Sequence, residues 1–203
     1  MSFLDWLFYL DFVGLFVFAG TGALIAARGD HDIITMLFFA AITGVGGGTL
    51  RDLLIGAPVF WVREPAYLIL CALATAAIWF GGRWVDRPRA LLWLDAFGLA
   101  YYAALGAAKA AALGVAGPVC IVMGVLTATF GGVLRDVVAG QPSILLTRDI
   151  YVTAALIGAT AYVLCASLGA PQPIALLVGF LIGLVVRVGA ITRHWALPAY
   201  PRA

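Results

Sequence analysis

The sequence predicts an all-α integral membrane protein: seven transmembrane helices, arranged as two inverted three-helix repeats plus a seventh helix. Three observations predict it. Of the 203 residues, 64% are hydrophobic and only 11% charged, where a soluble domain carries about 25% charged residues. Seven apolar runs approach the roughly 20 residues that cross a bilayer as helix. Finally, one phrase occurs twice. Gly46-Gly47-Gly48-Thr49-Leu50-Arg51-Asp52 followed by Gly56-Ala57-Pro58 recurs as Gly131-Gly132-Val133-Leu134-Arg135-Asp136 followed by Gly140-Gln141-Pro142. The offset is constant, since 135 − 51, 136 − 52, 140 − 56 and 142 − 58 all equal 84.

The runs lie near 7–27, 33–57, 65–82, 91–112, 116–140, 149–168 and 173–191, within a single transmembrane domain of residues 1–203. Span one has no positive n-region ahead of it and no small-residue cleavage site before Arg28, so it reads as a retained helix. Span two holds the first glycine phrase and is closed by Pro58, because the residue before proline disfavours the helical region. Span three ends the first repeat, 7–84. Span four opens on Asp95 as span one opens on Asp11, and Asp11-Phe12-Val13-Gly14-Leu15 aligns with Asp95-Ala96-Phe97-Gly98-Leu99. Such acids partner helix dipoles or draw cations to a vestibule. Span five carries the second phrase and is closed by Pro142. Span six completes the second repeat, 91–168; there Tyr151 matches Tyr67 of span three, as Thr127 matches Thr43. Span seven, 173–191, stands outside the repeat. Strand-type alternation is absent, which argues against a barrel.

Each repeat holds an odd number of spans, so the second is expected upside down relative to the first. Arg28, Arg83, Arg87, Arg89, Arg148, Arg193 and Arg202 fall on one side, and Arg63, balanced by Glu64, on the other. The positive-inside bias puts the N-terminus outside and the C-terminus in the cytoplasm. The formal charge of +2 comes without any basic cluster dense enough to follow nucleic acid.

The chemistry concentrates in the repeated phrase. Arginine and aspartate inside a span are costly and usually functional. Arg51–Asp52 and Arg135–Asp136 are expected as two charge layers about a pseudo-two-fold axis. Gly44, Gly46, Gly47 and Gly48, with Gly131 and Gly132, lower helix preference by about 1 kcal/mol each relative to Ala. Such a stretch either kinks and unwinds, freeing carbonyls for a site, or lets helices pack tightly. Thr43, Thr49, Thr127 and Thr129 add hydroxyls along the same spans. Lys109, the one lysine, either snorkels to the outer interface or faces a conduction path. Cys71, Cys120 and Cys165 are isolated within spans, and His31 and His194 sit at span ends, so no metal site or cofactor is expected. Hydrolase, zincin and P-loop signatures are absent, which argues against an enzyme.

The pattern GxGGGxxRDxxxGxP, its second copy GGxxRDxxxGxP and the three-plus-three-plus-one layout resemble the prokaryotic trimeric intracellular cation (TRIC) channel family, some of whose small bacterial members are described as glycine transporters. The resemblance covers roughly residues 7–191. It implies a homotrimer with a pore in each protomer, lined by spans two and five bent at their glycines, and potassium or sodium as permeant monovalent cations, potassium the principal one. Carried over are Gly46, Gly47, Gly48, Arg51 and Asp52, then Gly131, Gly132, Arg135 and Asp136. Phe130 replaces the glycine matching Gly46, which is expected to leave span five less bent and its pore narrower. The Lys-Glu-Val motif of eukaryotic members is missing, so their lipid-linked regulation does not transfer. A different reading stays open: an alternating-access carrier of a small zwitterion such as glycine, with Arg on the carboxylate and Asp on the amine. The arginine-rich, Ala- and Gly-rich composition suits a GC-rich bacterium and residence among the lipids of its inner membrane.

Overall fold

The computed structural model describes residues 3–81, 89–146 and 149–198, with side chains from residue 11 onward. Its elements are helices α1 (Phe3–Arg28), α2 (Ile33–Leu54), α3 (Phe60–Arg63), α4 (Ala66–Phe80), α5 (Ala90–Ala112), α6 (Gly117–Val138), α7 (Val152–Ser167) and α8 (Gln172–Arg193). A 3-10 turn spans Ile144–Leu146. Among the described residues, the extended pairing is an isolated bridge between Asp149 and Ala196.

Each expected span meets a helix, but the lengths differ. By length and composition α1, α2, α5, α6 and α8 can cross a membrane, whereas α4 and α7 are shorter apolar helices of 15 and 16 residues. At 1.5 Å per residue the two reach about 22–24 Å, short of a hydrocarbon core of about 30 Å. The four-residue α3 was not expected. Arg83, Arg87, Arg148 and Arg202, which weigh in the orientation argument, lie outside the described residues.

Local chemistry sets the helix ends. Asp32 accepts the Thr35 N–H at 2.8 Å and caps α2. That bond holds its carboxyl below the usual aspartate value. Helices α2 and α6 stop at Leu54 and Val138, before their prolines are reached. Gly56 (φ 67°) and Gly140 (φ 63°) turn left-handed, and the Ala57 and Gln141 N–H groups donate back to the Asp52 and Asp136 carbonyls at 2.8 and 2.9 Å. This is a Schellman ending, for which glycine is the residue of least steric cost.

Packing follows the repeat. Helix α1 lies against α2, α4 and α5, and its counterpart α5 lies against α6, α7 and α1; α2 and α6 pack on each other. Helix α8 has no counterpart and packs on α5 and α7. The interior is small-residue: Ala100, Ala103, Ala104, Ala107, Ala108 and Ala110 of α5 are buried, which lets backbones approach as membrane helices require. Large apolar side chains such as Leu53, Phe80, Val137 and Val185 point outward. That distribution is the one expected of a chain surrounded by membrane rather than water.

Candidate functional site

The α2–α6 crossing is built on reciprocal contacts. A Cβ on Gly47 would overlap the Thr127 carbonyl oxygen, and one on Gly131 would overlap the Thr43 carbonyl oxygen. Positions 43 and 127, and 47 and 131, are each 84 apart. The two contacts are therefore repeat images of each other. Both helices keep helical hydrogen bonding through their glycines, so of the two readings the close-packing one is met and unwinding is not found. Apolar surroundings make unpaired carbonyls too costly, and close approach is what the glycines supply. Their neighbours do the same: Gly46 faces Leu134 and Gly131, Gly44 faces Ala19, Gly48 faces the Phe60 ring and Gly132 faces the Tyr151 hydroxyl.

Two buried charge clusters flank this crossing. In the first, Arg51 donates through Nε and Nη2 to Asp52 Oδ1 at 2.8 and 2.6 Å. Asp52 Oδ2 accepts the Phe60 N–H at 3.0 Å, which anchors α3 over the end of α2. Nearby, Asp11 Oδ2 accepts from the Tyr67 hydroxyl at 2.7 Å and from Lys109 Nζ at 3.0 Å. Lys109 thus turns inward rather than snorkelling. Its ammonium and the Arg51 guanidinium lie 5.2 and 6.0 Å from the Phe60 ring centroid, within cation–π range. Asp11, Gly44, Gly48, Arg51, Phe60, Tyr102, Lys109 and Thr127 enclose a cavity of about 10 Å³, room for one water.

In the second cluster Arg135 Nη1 donates to Asp95 Oδ1 and to Thr21 Oγ1, both at 2.9 Å, and Nε donates to Asp136 Oδ1 at 2.9 Å. Asp136 Oδ2 accepts the Ile144 N–H at 3.3 Å, the image of the Asp52–Phe60 bond. Here the halves diverge. Asp11 takes its cation from Lys109, but the position matching Lys109 in α1 (109 − 84) is Ile25. Asp95 instead draws on the arginine of its own half. Arg51 consequently pairs with its neighbour Asp52 alone, while Arg135 joins two carboxylates and a hydroxyl.

The remaining candidates sit apart from the cavity. Thr49 Oγ1 donates to the Val45 carbonyl and accepts from Trp61 Nε1; Thr129 donates to the Val125 carbonyl. Thr43 Oγ1 is buried without a partner, and Phe130 is half-buried. Of the four threonines, Thr127 reaches the cavity, its hydroxyl donating to Met123. Sequence reasoning missed Phe60, Tyr102 and Thr21, which carry no local signal, and Arg187. The last had one: an arginine within an apolar span. Among the described residues no group of three His, Cys, Asp or Glu side chains could hold a metal ion.

The family model described as Glycine transporter matches twice, over residues 8–83 and 92–167, with the same displacement of 84. The TRIC trimeric intracellular cation channel orthologue from Rhodobacter sphaeroides has a solved structure that is 45% identical, covers 93% of this chain and 98% of its own, and superposes with a TM-score of 0.88. The chain belongs to the TRIC family. Another solved TRIC cation channel is 32% identical with a TM-score of 0.84, covering 95% of this chain and 96% of that one. The UPF0126 inner membrane protein YadS of Escherichia coli K12 is 36% identical over 203 residues, 95% of each chain. These solved TRIC structures are ion channels, not enzymes, and both charge clusters of this TRIC member are to be read in that setting.

Proposed function

We propose that the chain is a potassium-preferring, monovalent-cation channel with a pore in each protomer, lined by α2 and α6 and closed here at the Asp11–Lys109 pair. The cavity carries this reading. Asp11, Arg51 and Lys109 line it, it abuts the glycine faces Gly44 and Gly48, and a lysine ammonium held by Asp11 occupies the place a permeating cation would take. Solved relatives that are TRIC cation channels support it. So does the run of the helices between clusters. Helix α1 goes from Asp11 in the first to Thr21 by the second, and α5 from Asp95 in the second to Lys109 in the first. That opposite sense favours inverted repeats; the N-terminus is placed outside by arginine placement, which puts the first cluster in the outer half. Homotrimerisation and inner-membrane residence follow the relatives.

The test is single-channel recording in a planar bilayer under asymmetric KCl. Openings should reverse near the potassium equilibrium potential, and a reversal potential at zero would reject selectivity. Lys109→Met should raise open probability. The pair is partly exposed, with Lys109 34% accessible, so its loss is worth about 1 kcal/mol, roughly fivefold in the closed–open ratio. The carrier reading keeps one favourable observation, an arginine and an aspartate converging on one cavity in the family described as Glycine transporter. Silent bilayers with saturable glycine uptake into liposomes would establish it instead.

A further inference from the structure

About 30 Å along α5 from Lys109, the first turn of α5 and the last turns of α8 enclose a cavity of about 310 Å³ whose wall includes Arg89, Trp93, Asp149, Arg187, Thr192 and His194. The permeation reading makes no use of it. Its rim is constructed. Helix α8 ends at His194 in a left-handed conformation (φ 53°), and the Trp195 N–H donates back to the Ala190 carbonyl at 3.2 Å. The chain then reverses so that Ala196 bridges to Asp149, with the Trp195 ring laid over Gly189.

Arg187 is the unusual member. It is 1% exposed, and Nη1 donates to the Ile150 carbonyl at 3.2 Å while the Tyr151 ring lies 5.1 Å from Cζ. Its Nε and Nη2 have no hydrogen-bond partner. A buried guanidinium with two idle donors is costly unless an anion approaches. The ionisable groups in the wall are Arg89, Arg187 and His194 against the single carboxylate of Asp149, so the cavity is cationic. Trp93 and Trp195, each 40% exposed, stand at this same end. Exposed tryptophans favour the headgroup layer, where phosphate is the prevailing anion.

We propose that this cavity binds a phosphate group, with Arg89 and Arg187 as its charged donors. A phosphate oxyanion matches the guanidinium fork, and basic pockets between transmembrane helices hold lipid headgroups elsewhere. The group comes either from an anionic lipid or from a free phosphate compound, and the test separates the two. The intact protein in neutral detergent is titrated with inorganic phosphate, with dioleoylphosphatidylglycerol and with dioleoylphosphatidylcholine, while its thermal unfolding midpoint is followed. Stabilisation by phosphatidylglycerol alone assigns a lipid headgroup; stabilisation by inorganic phosphate as well assigns a free phosphate site. Either way, Arg89→Gln should weaken apparent affinity about tenfold, and Asp149→Asn should tighten it severalfold. Arg187→Gln should abolish the effect; should it fail to fold, the two rim variants carry the test. No stabilisation by any additive, or stabilisation indifferent to Arg89→Gln and Asp149→Asn, overturns the proposal. The readout is binding, so a failed conductance experiment leaves it standing.

Discussion

At Gly47 the nearest obstacle to a side chain is the backbone of α6, whereas at Gly20 nothing lies within 4 Å. A carbonyl cannot rotate aside as a side chain can. Gly47→Ala and Gly131→Ala should each cost about 1–3 kcal/mol of stability, read as a lowered unfolding midpoint in detergent, while Gly20→Ala should leave it level or raised. The arginines also part company at this scale. Arg135→Ala strands Asp95 and Asp136, both buried, and should cost about 3–5 kcal/mol. Arg51→Ala strands Asp52 alone and should cost less by the same measurement. Equal losses would contradict the asymmetry between the halves. Sequence showed both Arg-Asp pairs, because residue identity and offset carry them. It could not show that Lys109 meets Asp11, because such a partner depends on how each helix is rotated about its axis.

For the helices, the repeat was legible and the backbone within it was not. Glycine's low helix preference is measured in water, and it allowed unwinding of α2 and α6; inside a bundle the hydrogen bonds are kept instead. Span ends were also misread by a few residues. Proline announces itself in sequence, but the left-handed glycines Gly56 and Gly140 end these helices first. Open space surrounds both glycines, so a substitution there tests conformation rather than room. Gly56→Ala should cost about 1–2 kcal/mol, seen as a lower unfolding midpoint and faster proteolysis of the segment leading to α3.

Across the whole molecule, composition alone was enough for the membrane class, since a chain 64% hydrophobic turns its large apolar residues outward. Orientation rests on arginine placement and is open to direct test. His31 and Leu113 are exposed in the turns after α1 and α5. With Cys165 replaced, His31→Cys should react with an impermeant maleimide in broken cells only, and Leu113→Cys in intact cells; the reverse pattern would invert the topology. The reciprocal seating of Gly47 on Thr127 and Gly131 on Thr43 has a historical consequence. Each contact asks for the same patch on both partners, as a two-fold dimer does. A half-length ancestor could have made both with a second copy of itself, before any gene fusion joined them.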